Sequence, residues 1–106
     1  MKRVEANIRP EKLEDVLKAV KGIGVGGLMV RKIEGMGADD APSLEFLVDR
    51  TIVTTIVEDG KVDDLMKAIA EIASTGEKGD GKIYVEDVIE MTDICTKEKE
   101  TLDIPL

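Results

Sequence analysis

Residues 51–57 read Thr51-Ile52-Val53-Thr54-Thr55-Ile56-Val57, an unbroken run of β-branched side chains. Branching at Cβ restricts rotamers in a helix and packs well on a pleated sheet, so this segment is predicted to be a strand. Both of its faces carry apolar or Thr side chains. A strand of that kind suits the middle of a sheet, covered on both sides. The rest of the chain must supply its neighbours and its cover. It has 106 residues to do so, enough for one domain with one core. Phe46 and Tyr84 are its only aromatics, so the core has to be Val, Ile, Leu, Met and Ala.

Residues 3–9 alternate, with Val4, Ala6 and Ile8 on one side and Arg3, Glu5, Asn7 and Arg9 on the other. That is a strand with one buried face. Pro10 ends it and suits the first turn of a helix. Leu13, Val16, Leu17 and Val20 follow at helical spacing, with Glu11, Glu14 and Asp15 near the positive end of the dipole. Gly22 and Gly24 are expected to close this helix. A second strand is predicted over 28–34, although Met29, Val30 and Ile33 do not share a face. Gly35 and Gly37 open a loop over 35–49. After the turn Glu58-Asp59-Gly60, the residues Val62, Leu65, Met66, Ile69, Ile72 and Ala73 mark a second amphipathic helix. A Gly-rich loop over 76–81 leads to a last strand over 83–91. In the tail, 92–106, the run Lys97-Glu98-Lys99-Glu100 reads as a solvated face, followed by alternating Leu102, Ile104 and Leu106. The expected fold class is therefore α+β, a ferredoxin-like βαββαβ with four antiparallel strands and both helices on one face. The other face is expected to be covered by another subunit.

Charge and composition exclude several functions. Fifteen Lys and Arg against twenty-three Asp and Glu leave a net −8, with no basic run, which does not suit nucleic acid. The chain has no His, the commonest general base and transition-metal ligand. Its single Cys, Cys95, excludes an internal disulfide and a multi-Cys zinc site, and is expected to be a small packing residue. No apolar stretch approaches the roughly 20 residues of a membrane helix. With no signal peptide visible, the expected compartment is the cytoplasm.

Two segments could carry chemistry. Thr75-Gly76-Glu77-Lys78-Gly79-Asp80-Gly81-Lys82 lies between a helix and a strand, which is not the setting of a Walker A loop. Its glycines could turn successive N–H groups inward as an anion nest, with Lys82 as a nearby point charge. The same spacing also fits a plain helix C-cap and tight turn. Gly35-Met36-Gly37 could allow close approach of a ligand, or simply end a strand. Of the carboxylates, Asp63 and Asp64 are explained by the helix dipole, and Asp39 is the one weak magnesium candidate. Met29, Met36, Met66 and Met91 are expected in the core or an interface, and Ser43 as a solvated loop residue.

Taken together, Met1-Lys2-Arg3-Val4-Glu5-Ala6, Ile8, Pro10, Lys12-Leu13, Gly24-Val25, Gly27, Lys32-Ile33-Glu34-Gly35-Met36-Gly37, Val62-Asp63 and the segment from Thr75 to Val85 resemble the PII signal-transduction family of nitrogen regulatory proteins. The resemblance implies a homotrimeric, non-catalytic regulator with ATP or ADP bound in clefts between subunits. It implies an adenine pocket lined by Gly27, Leu28, Met29 and Ile56. Gly35 and Gly37 would meet the ribose and phosphates, and Gly79, Gly81 and Lys82 would hold the phosphates. Residues 36–50 would form the T-loop and 75–82 the B-loop of a domain spanning 1–91. The partner would be a regulated transporter or metabolic enzyme.

Departures from the family pattern carry equal weight. Asp93 and Cys95 stand where the family has two phosphate-gripping arginines. One such contact at about 4 Å and an effective dielectric near 20 is on the order of 4 kcal/mol before screening and desolvation. That favours an ADP or AMP site over a tight ATP site, unless Lys97 and Lys99 compensate. Ala38 and Asp39 replace the Arg and Gln that help to place magnesium and 2-oxoglutarate, and Arg50 keeps the basic position at the far base. This argues against 2-oxoglutarate as an effector while leaving magnesium open. The loop lacks about eight residues of the family's length and has no Tyr to uridylylate. Two other readings remain: a PII-fold interaction module that has lost nucleotide and 2-oxoglutarate binding, and a slow nucleotide hydrolase.

Overall fold

The strand built on the β-branched run, β3 (Val48–Val57), lies inside a four-stranded sheet. Its neighbours are β1 (Lys2–Ile8) and β2 (Leu28–Gly35), and β4 (Lys82–Asp87) pairs with the far side of β1. The sheet order is β2-β3-β1-β4 and every pairing is antiparallel. Two helices, α1 (Leu13–Ile23) and α2 (Val62–Ala73), complete the βαββαβ order. Both helices are entered through a short 3-10 turn, Pro10–Lys12 before α1 and Asp59–Lys61 before α2. The computed structural model describes residues 1–38 and 40–100, so Asp39 and the alternating Leu102, Ile104 and Leu106 lie outside the described residues.

Register explains the burial. Val4 faces Thr55, Ala6 faces Val53 and Ile8 faces Thr51, so these side chains share the face that the helices cover. Val16 and Val20 of α1 and Leu65, Ile69 and Ala73 of α2 close over them, forming one core of buried residues. It contains no aromatic side chain, as composition required. Fully burying a side chain such as Leu65 or Ile69 stabilises the fold by roughly 1.5–3 kcal/mol.

The opposite face of β3 is buried without any helix over it. Ile52 and Thr54 are 5% and 7% exposed. Long side chains from the neighbouring strands shield them. Arg31 on β2 pairs with Glu5 on β1 at 3.0 Å, and Thr54 donates to the same carboxylate. Arg3 pairs with Glu86 at 2.9 Å. Apolar stems cover the strand while the charged heads stay wet.

Several boundaries differ from the sequence expectation. β3 starts at Val48 rather than Thr51, because Asp49 and Arg50 pair with Glu34 and Ile33 despite their polarity. The connecting loop is therefore 36–47 and contains a 3-10 turn at Leu44–Phe46, with Ser43 as its N-cap. β2 is an edge strand, which accounts for its weak alternation. Gly22 lies within α1, and Gly24 alone caps it at φ +83 with its N–H on the Lys21 carbonyl. β4 ends at Asp87, not Met91, since β1 has no residue left to pair beyond Lys2. Past Val88, whose N–H donates to the Met1 carbonyl, the tail folds into a small hairpin closed by a Thr92–Lys99 bridge. Cys95 is exposed on this hairpin and packs no core. None of the methionines at 29, 36, 66 and 91 is in the buried core.

Ile69→Ala is expected to cost about 2–5 kcal/mol in urea unfolding. Ile72→Ala, at a site 38% exposed, should cost about 1 kcal/mol or less.

Candidate functional site

The segment between α2 and β4 is organised by its own carboxylate. Asp80 accepts from the Thr75 N–H at 2.8 Å, the Gly76 N–H at 3.0 Å and the Thr75 hydroxyl. The Nε of Arg9 adds a bond of 3.1 Å. These donors, led by the Thr75 hydroxyl and N–H, hold the Asp80 carboxyl well below the usual carboxylate range. The first two N–H groups of the loop are thus filled internally.

The Glu77 N–H donates to the Thr75 hydroxyl at 3.2 Å, whereas the last three before the strand have no such acceptor among the described residues. The carbonyl of Lys78 accepts from Arg9 at 3.1 Å. Arg50 takes the carbonyls of Gly79 and Asp80, at 2.8 and 3.3 Å. In a trans peptide the C=O and the following N–H point opposite ways. The N–H groups of Gly79, Asp80 and Gly81 therefore face away from the two arginines, and among the described residues they donate to nothing. Gly79 and Gly81 sit at φ +94 and +112, which glycine adopts without a Cβ clash. Gly81 has a second reason to be glycine, since a Cβ there would lie 1.8 Å from the Asn7 carbonyl oxygen. Lys82, the next residue, is exposed and has no ion pair among the described residues. Three unpaired donors and the exposed lysine that follows them could serve as a cradle for an anion.

Arg50 ties this loop to the sheet. It is 8% exposed. Its Nε donates to the Asn7 side chain at 2.8 Å and one terminal nitrogen reaches the Asn7 carbonyl at 3.3 Å. Burial and the nearby Arg9 charge push it below the ordinary arginine value. The stem also lies against Gly35, whose Cβ would sit 3.9 Å from Arg50 Cγ. Gly35, Gly79, Gly81 and Lys82 are thus gathered at one end of the sheet. Gly37, just beyond, has its N–H taken by the Asp40 carboxylate at 3.0 Å.

The other predicted site residues lie at the opposite end. Leu28 pairs with Thr55 and Gly35 with Val48. Seven residues of strand separate the two pairs, roughly 23 Å. The Gly27 carbonyl accepts from the Thr55 hydroxyl. Ile56 lines a shallow cleft with Gly24, Val25, Gly26, Val57, Glu58 and Lys61. One chain does not bring Gly27, Leu28, Met29 and Ile56 to the cradle.

A family model described as nitrogen regulatory protein P-II matches residues 1–98. The chain is 38% identical to a nitrogen regulatory protein P-II of Porphyra purpurea, over 92% of this chain and 95% of the relative. A P-II protein of Microchaete diplosiphon is also 38% identical, over 95% and 97% of the two chains, and one of Pasteurella multocida is 36% identical, over 93% and 96%. The chain belongs to the nitrogen regulatory protein P-II family. It is a regulatory signal-transduction protein, not an enzyme. As in the expected P-II fold, two helices lie with a four-stranded antiparallel sheet. No helix among the described residues is long and apolar enough to cross a membrane.

The tail of this P-II chain carries acid where the sequence reading looked for cations. The Glu100 carboxyl hydrogen-bonds to Asp93, which lowers Asp93 and raises Glu100, so the two titrate as a pair. Lys99 bonds to Glu90 at 2.6 Å. Sequence reasoning did not assign roles to Arg9, Asn7, Thr75 or Asp80. The spacing Thr75…Asp80 is the one local signal that could have shown the loop's internal acceptor.

Two outcomes follow. Gly81→Ala should cost about 2–5 kcal/mol in thermal or urea unfolding, because it combines strain at positive φ with a backbone clash. Asp80 has a lowered folded value, so its stabilisation is present above the unfolded carboxylate's pKa of about 4 and is lost as pH falls below it. Asp80→Asn should therefore lower Tm at pH 7, and the gap to wild type should close on acidification from pH 4 towards 2.

Proposed function

We propose that this P-II protein is a homotrimeric sensor that binds an adenine nucleotide between subunits and reports its occupancy to a transporter or metabolic enzyme. The observation that carries this reading is the cradle: three outward N–H groups at Gly79, Asp80 and Gly81, with Lys82 beside them. An acidic chain needs such a local donor set to hold a phosphate at all.

The split of the site supports the inter-subunit arrangement. Gly35, Gly79, Gly81 and Lys82 would take the phosphates from one copy. Gly27, Leu28, Met29 and Ile56 would take the adenine from its neighbour. The separation of the two groups along the sheet is several times the reach across a ribose. A second copy closes that gap, and the exposed residues of edge strand β4 leave room for one.

The tail argues for few phosphates. Asp93 stands where the family pattern has a phosphate-gripping arginine, and Glu100 beside it adds further negative charge, so ADP or AMP fits this reading better than ATP. Arg50 is already committed to Asn7, Gly79 and Asp80. It is not available for a dicarboxylate, and 2-oxoglutarate is not the effector we infer. Magnesium enters only as an ion carried on the phosphates. The working compartment is the cytoplasm, with neither nucleic acid nor bilayer as partner. The Asp93–Glu100 pair also favours a second reading, an interaction module that no longer binds nucleotide.

Calorimetric titration with AMP, ADP and ATP, each with and without magnesium, tests the proposal. Saturable binding is expected, no tighter for ATP than for ADP, and weakened about 10–100-fold by Lys82→Ala through loss of one charge-assisted bond. Absence of binding by all three nucleotides would leave the interaction module. The mass in solution should be about three times 11.5 kDa.

A further inference from the structure

We propose that Arg50 is a positioning residue that aims the anion cradle without touching the anion. The proposal deepens the nucleotide reading, and rests on it only for the identity of the anion. The guanidinium spends four bonds on the inner side of the loop: the Asn7 side chain and carbonyl, and the carbonyls of Gly79 and Asp80. Fixing those two carbonyls fixes the directions of the Asp80 and Gly81 N–H groups, which leave the opposite edge of each peptide plane. Arg9 does the same for Gly79 through the Lys78 carbonyl. The cation and the anion then lie on opposite edges of the same peptides.

A planar fork is required for this task. An arginine presents several N–H donors at fixed angles and can hold two successive carbonyls and Asn7 at once. A lysine brings the same charge as a single mobile point and cannot. Arg50→Lys therefore separates aim from charge. Loss of anion binding in that variant reports geometry, because the net charge is unchanged. The position of Arg50 adds a consequence. It lies two residues beyond Val48, whose pairing with Gly35 closes the base of the 36–47 loop. The cradle and that loop therefore share one side chain.

The test uses pyrophosphate, ADP and adenosine as probes, followed by calorimetry and by the amide resonances of Gly79, Asp80 and Gly81. In wild type, pyrophosphate and ADP should shift those three amides. In Arg50→Lys, affinity for both should fall about tenfold or more, while adenosine binding stays unchanged. A merely structural role would weaken adenosine equally. Asn7→Ala, which removes the 2.8 Å acceptor of the Arg50 Nε, is the milder variant should Arg50→Lys not fold, with a smaller loss in the same direction. If pyrophosphate binds and Arg50→Lys weakens it, while ADP binds no tighter than pyrophosphate, the positioning role stands and the nucleotide reading falls. Undiminished pyrophosphate affinity in a folded Arg50→Lys, or no pyrophosphate binding to wild type, overturns the proposal.

Discussion

A buried guanidinium between a strand and a loop is the contact on which the site end of this molecule depends. Arg50 enters from β3, crosses beneath β1 at Asn7 and grips the backbone of the loop before β4. Three segments far apart in sequence meet on one side chain. Burying a charge this way is costly unless its donors find acceptors, and here they are the Asn7 side chain and the carbonyls of Asn7, Gly79 and Asp80. The cation is stabilised by the loop, and the loop is shaped by the cation. Asp80 completes the arrangement from the other side by closing the Thr75–Gly76 turn and holding Arg9.

The parts of the fold that were legible in the sequence are those with a period. Val4, Ala6 and Ile8, the 51–57 run and Leu65, Ile69 and Ala73 of α2 lie where alternation or helical spacing put them, while Ile72 at the edge of the same stripe is exposed. What failed was set by pairing rather than pattern. Asp49 and Arg50 are polar, yet they are strand because β2 runs beside them. Residues 88–91 look like strand, yet β1 ends at Lys2 and nothing remains to pair. Cys95 was assigned to packing by composition, but it sits on a hairpin outside the core. At the site, the Gly79-Asp80-Gly81-Lys82 segment was visible as a motif with two open readings. What organises the segment is Arg9 and Arg50, which act from 71 and 30 residues away on Asp80. No local pattern encodes such contacts.

The sheet separates two groups of residues that a single ligand would have to satisfy together. If one nucleotide bridges two copies, as proposed, that separation has a regulatory use. A ligand bridging two copies binds only an assembled pair, so occupancy and assembly become linked quantities. Because Arg50 serves both the cradle and the start of β3, any partner that distinguishes arrangements of the 36–47 loop would also bias ligand affinity, and by the same factor in return. The exposed Leu44 on that loop and Ile89 and Ile94 in the tail are among the apolar side chains open to such a partner.

The bridging of two copies by one nucleotide is the central claim, and subunit mixing tests it most directly. Lys82→Ala disables the cradle of a copy, and Ile56→Asp disables its adenine end. Each variant alone should bind ADP about tenfold or more weakly than wild type. Coexpressed with separate tags and purified as mixed assemblies, they should recover wild-type ADP affinity at about a quarter of the sites, where an intact cradle meets an intact adenine end. If the mixed assemblies form and bind no more ADP than either variant alone, the two halves do not come from neighbouring copies.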